Sequence, residues 1–260
     1  MAAPSPERRL ARLAGRVSVC LGDLVFLPGC LRCGGDGFRR RAGVCLECWS
    51  RVRPWRTTPG HCLRCGEEGC RRCEDSPPHW SWLEATLIYE NAGRELILLY
   101  KFGPHGGTRS LGRPLAALLA ASLRVTGAGR DIDVVTAVPS HRSRVRERGF
   151  DAAWLLATQA ARRAGLPPPR PLLRRLGADA PRARPGPPDA PPPAPEFRLR
   201  RAAPERIAGR RVLLVDDVYT TGETLRHCAG LLAGAGAAEI RATVLARTPR
   251  RRFARLGAIE

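Results

Sequence analysis

The sequence predicts an α/β protein with an open parallel sheet and flanking helices, preceded by a small cysteine-rich module. Downstream of residue 80, apolar runs of strand length alternate with amphipathic runs of helix length, a pattern typical of parallel strands joined by helices. Between residues 30 and 75, cysteines recur in pairs of one spacing. A chain of 260 residues that is 43% hydrophobic is long enough for one good core plus an accessory module.

Eight of the ten cysteines form four C-x-x-C pairs. Such a turn directs two sulfurs at one point, so two pairs complete a tetrahedral thiolate site. The pattern predicts two closed zinc sites of a structural kind, because four protein ligands leave no open position for catalysis. The predicted ligands are Cys30, Cys33, Cys45, Cys48, Cys62, Cys65, Cys70 and Cys73.

The grouping of these pairs stays open at the level of sequence. Sequential pairing is the simplest, but the "GEEG" loop after Cys65 is short, so a crossed pairing is an alternative. A disulfide framework would require an oxidising compartment, and nothing in the sequence indicates export. His61 adjoins one pair and is interpreted as a bystander, and Cys228 shares a helical face with leucines, which indicates a small core residue.

The remaining elements follow from hydrophobic periodicity. Strands are predicted at 84–90, 131–139, 210–218 and 239–248, and helices at 92–102, 110–123, 149–165 and 222–236. Residues 166–197 hold twelve of the 24 prolines, so we expect an extended or mobile insertion without regular structure there. The predicted organisation is a lead-in at 1–29, a double zinc ribbon at 30–75, a sheet domain at 80–249 and a basic tail at 250–260.

The charge is strongly positive, with a formal net charge of +20 and a pI of about 11.2. This favours polyanionic partners, either nucleic acid or a phosphate-rich small molecule, although biased codon usage would produce the same excess of arginine. The charge is spread along the chain, which favours a general affinity for anions over a sequence-reading element. No apolar run approaches the roughly 20 residues of a membrane span, and the lead-in is interrupted by Gly22 and Asp23, so we predict a cytoplasmic protein.

The stretch "VLLVDDVYTTGET" from Val212 to Thr224 carries the main functional signal. Ligands of open parallel sheets bind beyond the carboxyl ends of the strands, and Asp216 and Asp217 stand at such an end. Burying them requires a cation, hydroxyl donors or water. The turn that follows opens a helix, whose free N–H groups and threonine hydroxyls suit a phosphate. The combination predicts a sugar-phosphate site.

Three other interpretations of the acidic pair fit less well. A Walker B strand requires a G-x-x-x-x-G-K-[ST] loop, and the only lysine, Lys101, follows Tyr100. A receiver domain carries its acidic pair near the start of the fold, whereas too little chain follows Asp217 here. A merely structural turn would not require two adjacent acids.

The same stretch resembles the phosphoribosyl-pyrophosphate (PRPP) binding motif of type I phosphoribosyltransferases. A second stretch, "VPSHRSRVRERGFDAA", resembles a segment of the ComF family of competence proteins, which joins an N-terminal zinc ribbon to a phosphoribosyltransferase-like domain. The "GDLVFLPGC" lead-in and the four cysteine pairs match as well, so the resemblance covers about residues 21–248. It implies a type I phosphoribosyltransferase-like sheet behind the zinc ribbon.

The resemblance implies a role for each matched residue. Asp216 and Asp217 would hold the ribose 2′ and 3′ hydroxyls with Mg²⁺ nearby, and the turn after them would take the 5′-phosphate. The PRPP-binding residues would be Asp216, Asp217, Val218, Thr220, Thr221, Gly222, Glu223 and Thr224. The loop facing the pyrophosphate would contribute Ser140, Arg142, Arg146 and Arg148, with the interpretation as a solvated helix start as the alternative.

Two functions remain open. One is a phosphoribosyltransferase of nucleotide metabolism that transfers phosphoribose from PRPP to an unknown base and is linked to DNA uptake or utilisation. The other is a non-catalytic competence or DNA-handling factor, whose ribbons bind single-stranded DNA or competence proteins while the PRPP site is sensory or vestigial. Asp151 and Ala152 replace the family's N-Q, the proline-rich stretch replaces its flexible loop, and Thr220 stands where some phosphoribosyltransferases carry an acid. These departures favour binding over turnover.

Overall fold

The computed structural model describes residues 29–35, 40–55, 60–68, 70–103, 107–176 and 197–249. The predicted basic tail, all but Gly29 of the lead-in and most of the proline-rich insertion lie outside these ranges. The chain divides into two compact units, with the boundary between Ser50 and Arg51. No helix within the described ranges is long and apolar enough to cross a membrane.

The first unit is built on a short hairpin followed by a helical turn. Strands β1 (Arg40–Arg41) and β2 (Val44–Cys45) pair antiparallel, and helix α1 (Leu46–Ser50) follows directly. Ala42 and Gly43, with φ of 52° and 80°, make the tight turn between the strands. Cys45 therefore lies at the end of the hairpin, and Cys48 lies within the next helical turn.

The second unit is the α/β domain. Its elements are α2 (Arg72–Asp75), β3 (Trp82–Ile88), α3 (Asn91–Phe102), α4 (Gly112–Thr126), β4 (Val134–Ala137), α5 (Arg142–Arg148), α6 (Ala152–Ala164), β5 (Leu173–Arg175), β6 (Phe197–Leu199), α7 (Ala203–Ile207), β7 (Arg211–Tyr219), α8 (Glu223–Gly234) and β8 (Glu239–Arg247). A 3₁₀ turn at Arg109–Leu111 precedes α4.

The main sheet has four parallel strands in the order β3-β8-β7-β4. Helices α4 and α6 pack on each other and on the sheet. Helix α8 packs on the opposite face, where Val212 and Leu214 of β7 meet Leu225, Cys228 and Leu232. The predicted parallel α/β sheet with flanking helices is confirmed, and so is the core position of Cys228, which has no exposed surface.

The prediction that residues 166–197 hold no regular structure is wrong at both edges of that stretch. Strand β5 pairs antiparallel with β6, with Arg175 opposite Phe197. The prolines cluster on either side of "LLRR", which leaves an apolar stretch free to pair. Leu172, Leu173 and Phe197 are buried there, so the base of the insertion belongs to the core.

Helix α5 is the other departure from the predicted elements. Residues 142–148 are mostly arginine and show no apolar period, so the sequence predicts a loop with only an alternative helix start. In the structure they form a helix that ends at Gly149, whose φ is 77° and whose N–H bonds to the carbonyl of Val145.

Candidate functional site

The two adjacent aspartates point to opposite faces of the sheet. Consecutive strand residues alternate between faces, and Asp216 shares its face with Val212 and Leu214, toward α8. The carboxylate of Asp217 points to the α3 side, where Lys101 Nζ lies 2.8 Å from its Oδ2. The Oδ1 atom of Asp216 accepts a hydrogen bond from the backbone N–H of Asp217 at 2.8 Å. The like charges are thus directed apart, and one of them is neutralised.

Burial raises the pKa of Asp216 to about 8; the charge of Asp217 adds to the rise and that of Lys101 opposes it. Without a ligand, this rise favours the protonated form of the Asp216 carboxyl. A divalent cation or a pair of ribose hydroxyls would favour the ionised form, because each stabilises negative charge on the carboxylate.

Lys101 is a site residue that the sequence analysis missed. It lies in the last turn of α3, which precedes α4, and α4 leads back to the start of β4. It is α4 that brings the chain back to the amino-terminal edge of the sheet, where β4 begins. The end of α3 therefore lies at the carboxyl edge, beside Asp217. No local signal marks this position, since the contact depends on the path of the chain between two strands.

Positive charges gather around the exposed ring of Phe102, which is 47% exposed. The Lys101 Nζ and the Cζ atoms of Arg144 and Arg148 lie 5.9, 5.3 and 5.2 Å from the ring centroid. Arg148 is buried, and its Nε donates to the carbonyl oxygen of Lys101 at 2.6 Å. Arg148 therefore ties α5 to the end of α3, while Arg142 and Arg146 are exposed on α5.

Asp151, which replaces the asparagine of the family pattern, organises the loop after Pro139. Its Oδ2 accepts the backbone N–H of Ser140 at 3.0 Å, and its Oδ1 accepts the Ser140 hydroxyl at 2.9 Å. The same Oδ1 accepts the N–H of Trp154 at 3.1 Å, which makes Asp151 the N-cap of α6. An aspartate before a helix is a capping signal, so this role was readable from the sequence.

The predicted phosphate loop joins β7 to α8. Thr220, Thr221 and Glu223 are exposed, while Gly222 is buried with a φ of 79°. A Cβ on Gly222 would lie 2.6 Å from the ring of Tyr219, so both the backbone angle and the space require glycine. Gly222, the N-cap of α8, has no side chain to cap the first turn, and the Thr221 hydroxyl accepts the N–H of Glu223 at 3.4 Å. The amide end of α8 is suited to an anion. Val218 and Thr224 are half-buried on either side.

The cysteines group sequentially, and the crossed alternative is not adopted. Cluster 1 consists of Cys30, Cys33, Cys45 and Cys48, and cluster 2 consists of Cys62, Cys65, Cys70 and Cys73. In each cluster the four sulfurs lie within 4.8 Å of one another. His61 belongs to neither.

Cluster 1 has the spacing of a tetrahedral thiolate site. The Sγ–Sγ distances are 3.8 Å for Cys30–Cys48 and 3.9 Å for Cys33–Cys45, and a Zn–S bond of about 2.3 Å sets this edge at about 3.8 Å. Cys30 Sγ accepts the backbone N–H of Cys45 at 3.3 Å, and Cys48 Sγ accepts Arg32 Nη1 at 3.4 Å. The donor set fits zinc.

Cluster 2 is attached to the first strand of the sheet. The backbone N–H of Leu83 in β3 donates to the carbonyl of Leu63 at 2.8 Å, and Trp80 Nε1 donates to the carbonyl of Arg64 at 2.7 Å. The sulfurs of Cys65 and Cys70 lie 3.2 Å apart. Burial raises the pKa of the Cys65 thiol, so metal binding at this cluster would release protons.

A cavity of about 390 Å³ lies elsewhere, lined by residues that include Leu123, Arg130, Asp131 and Leu166. It contains none of the residues of the two motifs. The chemistry of the acids, the lysine and the phosphate loop therefore locates the candidate site, and cavity size does not.

Comparison with known proteins agrees with this geometry. The family described as "Phosphoribosyl transferase domain" matches residues 162–257. The chain is similar to Competence protein F of Haemophilus influenzae, with 28% identity over 231 residues that cover 84% of this chain and 96% of that protein. It is also similar to DNA utilization protein YhgH of Escherichia coli K12, with 30% identity over 220 residues that cover 79% of this chain and 91% of that protein. The chain belongs to the ComF family.

Among solved structures, this ComF-family chain is similar to one described as the allosteric regulatory enzyme of purine biosynthesis. The match has 19% identity and a TM-score of 0.40, and it covers 58% of this chain and 30% of that one. A likeness this slight adds nothing about function.

Proposed function

We propose that this ComF-family protein binds PRPP with Mg²⁺ at the carboxyl edge of its sheet and transfers the phosphoribosyl group to a nitrogen base, in support of DNA uptake or utilisation. The observation that carries the proposal is the meeting of Asp216, Asp217 and Lys101 with the amide end of α8 at one edge. The names of the two relatives, a competence protein and a DNA utilization protein, support the cellular context.

Different residues of the site would bind different groups of the sugar phosphate. The carboxylates of Asp216 and Asp217 would accept the two ribose hydroxyls, with the Lys101 ion pair orienting Asp217. The turn at 220–224 would bind the 5′-phosphate through backbone amides and threonine hydroxyls. Mg²⁺, when bound, would neutralise charge on the pyrophosphate and bring the ribose hydroxyls to the carboxylates.

The reaction then needs little covalent work from the protein. The bond between C1 and the pyrophosphate oxygen breaks with both electrons leaving on pyrophosphate, and the nitrogen of the base forms the new bond to C1. The exposed side chains of Arg142 and Arg146 on α5, together with Ser140, would stabilise the leaving pyrophosphate. Because Thr220 offers no carboxylate, the proton from the base would pass to the departing pyrophosphate or to water.

The zinc clusters complete the proposal. Both would hold Zn²⁺ in closed four-cysteine sites, which stabilise the fold and take no part in the reaction. The net charge of +20 supports a nucleic acid partner, such as single-stranded DNA, beside the competence proteins implied by the family.

Binding is tested by titrating PRPP with Mg²⁺ into the wild type and into an Asp216→Asn, Asp217→Asn double variant. Each lost charged hydrogen bond costs about 1.5–3 kcal/mol, so we expect affinity to fall at least about tenfold. Asp131→Asn is the matched control, because Asp131 is an acid at the opposite edge of the sheet that pairs with Arg211. Equal affinity of the wild type and the double variant would remove the site assignment.

A second candidate function, a non-catalytic DNA-handling factor, is favoured by one observation: the exposed Thr220 stands where some phosphoribosyltransferases carry the acid that accepts the proton of the base. Pyrophosphate release, screened over purine and pyrimidine bases, separates the two. Release with any base supports transfer. Binding of PRPP without release from any base supports the non-catalytic function.

A further inference from the structure

Cluster 2 contacts the phosphate loop through two side chains, Arg247 of β8 and Tyr219 of β7. We propose that this connection makes cluster 2 a positioning element for the phosphate loop, so that zinc at cluster 2 and a sugar phosphate at the loop strengthen each other's binding. The proposal rests on the proposed function for the identity of the ligand. Its mechanical part, the dependence of the loop's order on cluster 2, stands on the contacts alone.

The first contact joins the cysteine knuckle to the sheet. Arg247 is 2% exposed, and its Nη2 forms an ion pair with Glu67 Oε1, which lies two residues beyond Cys65. Its Nη1 lies so close to Gly66 that a Cβ on that glycine would collide with it. The guanidinium of Arg247 therefore rests directly on the knuckle that supplies Cys62 and Cys65.

The second contact passes from Arg247 to Tyr219. The two residues are register partners on neighbouring strands, and the Arg247 Cζ lies 5.3 Å from the Tyr219 ring centroid. The same Cζ lies 4.6 Å from the ring of Trp55, so the guanidinium contacts both aromatic rings. The backbone N–H of Thr248 donates to the carbonyl of Tyr219 at 3.0 Å, which fixes the end of β7 against the end of β8.

The third contact joins Tyr219 to the phosphate loop. The ring of Tyr219 is buried and lies against Gly222. A Cβ added to Gly222 would be 2.6 Å from the nearest atom of that ring. Gly222 is the residue before α8 and has the left-handed backbone that turns the amides of the loop toward an anion. A shift of the ring would therefore move the loop that is proposed to hold the 5′-phosphate.

Arg247 and Arg226 line a small cavity together with three cysteines of cluster 2. The cavity, of about 10 Å³, is lined by Cys65, Glu67, Cys70, Cys73, Tyr219, Arg226 and Arg247. Within the described part of the chain, Arg247 Nε and Nη1 and Arg226 Nε are buried without a hydrogen-bond partner. Four thiolates around Zn²⁺ carry a net charge of −2, and buried N–H donors beside them are the outer partners that such a site requires.

Coupling between two sites is reciprocal. If zinc in cluster 2 raises the affinity for a sugar phosphate by some factor, the sugar phosphate raises the affinity for zinc by the same factor. Loss of an outer partner of a metal site costs about 10–100-fold in metal affinity, and coupling of this kind is worth about 5–150-fold. We therefore expect an effect of about tenfold in each direction.

The test uses the full chain with one cluster disabled at a time. Cys70→Ser disables cluster 2, and Cys33→Ser disables cluster 1 as the matched control. Affinity for PRPP with Mg²⁺, and separately for ribose 5-phosphate, should fall about tenfold in Cys70→Ser and stay unchanged in Cys33→Ser. Removal of zinc by a chelator should be slowed about tenfold by ribose 5-phosphate in Cys33→Ser only. Equal effects in both variants, or none in either, would overturn the proposal.

Arg247 is tested as a positioning residue against a neighbour on its own strand. Arg247→Gln should weaken both zinc retention by cluster 2 and sugar-phosphate binding. Arg241→Gln, which removes an ion pair with Glu239 (2.8 Å) at the other end of β8, should weaken neither. Loss of zinc without loss of sugar-phosphate affinity in Arg247→Gln would show that the residue serves the metal alone and would refute the coupling.

Hydrogen exchange tests the mechanical coupling directly. It needs neither a bound sugar phosphate nor a substitution in cluster 2. In Cys33→Ser, chelation of the remaining zinc should speed the exchange of amides 219–224 about tenfold. If the wild type binds neither PRPP nor ribose 5-phosphate, the proposed function fails, while this exchange result still decides the mechanical coupling. Exchange at 219–224 that does not change on zinc removal would contradict the inference whatever the ligand.

Discussion

The two cysteine clusters have the same C-x-x-C spacing but different structural settings. Cluster 1 is formed by the turn that carries Cys30 and Cys33, the end of the hairpin at Cys45 and the helical turn after it, all in the unit that ends at Ser50. Cluster 2 belongs to the unit of the parallel sheet: its knuckle bonds to β3 and pairs with Arg247 of β8. Identical metal-binding motifs thus serve as a self-contained module in one place and as part of the sheet domain in the other.

A zinc motif therefore does not by itself define a module. The spacing predicts one double ribbon over 30–75, whereas the structure divides the chain between Ser50 and Arg51. What separates the clusters is a set of long-range partners, above all the pairing of Glu67 with Arg247 across 180 residues of sequence. If those partners matter, matched substitutions in the two clusters should have different effects on the sheet domain.

The largest expected difference is in the stability of the sheet domain. Zinc binding supplies folding free energy wherever the site forms only in the folded chain. Cys70→Ser should therefore lower the melting temperature of the sheet domain by about 10 °C, whereas Cys33→Ser should leave it unchanged. Differential scanning calorimetry measures both. Equal shifts in the two variants would remove the distinction between the clusters.

The glycines of the two knuckles give a finer comparison. Gly34 and Gly66 both follow a "CLRC" sequence and have similar φ values of 72° and 69°, so alanine costs each about 1–2 kcal/mol of backbone strain. A Cβ at Gly34 meets nothing within 4 Å, while one at Gly66 collides with Arg247. Gly66→Ala should therefore cost more stability than Gly34→Ala in denaturant titration, and it alone should weaken PRPP binding. Equal costs would show that Arg247 does not rest on the knuckle as described.

The stability and the PRPP affinity of the sheet domain should depend on pH in the same way whether or not cluster 1 is intact. The pKa of Asp216 is raised to about 8 in the folded protein from 3.8, so the folded state holds an extra proton between these values. Stability from this group is complete below about pH 4 and is lost as the pH rises through about 8.

Affinity for PRPP with Mg²⁺ should rise over the upper part of the same range, because the ligand needs the carboxylate. Calorimetric titration of the wild type and Cys33→Ser at pH 6.5 and 8.5 should give the same rise, and a flat profile would contradict ligand binding coupled to ionisation of Asp216.

The smallest expected effect concerns Arg32, the cationic neighbour of cluster 1. Its Nη1 donates to Cys48 Sγ at 3.4 Å, so Arg32→Ala should lower the zinc affinity of cluster 1 by about tenfold. Sugar-phosphate affinity should not change, because Arg32 belongs to the unit that ends at Ser50, whereas Tyr219 and the phosphate loop belong to the sheet domain. Competition with a chromogenic chelator measures the first quantity. A drop in PRPP affinity in this variant would contradict the separation of the two clusters.

The sequence predicts well what depends on neighbours along the chain. The strand at β7, its two aspartates and the glycine turn are one continuous stretch. The alternation of strand-length runs with helix-length runs predicts the parallel sheet that the structure confirms. Helix α5 is not predicted, because its arginines carry no apolar period. Lys101 and Arg247 are not predicted as site residues either, since their partners, Asp217 and Glu67, are brought near only by the folded path of the chain.

The central claim is that the neighbouring aspartates and the turn after them hold a phosphorylated ribose, and a crystal structure of the protein with PRPP and Mg²⁺ tests it most directly. The account predicts the 5′-phosphate at the amide end of α8 and the ribose hydroxyls within hydrogen-bond distance of Asp216 and Asp217. A ligand bound elsewhere, with Asp217 still paired only to Lys101, would contradict it.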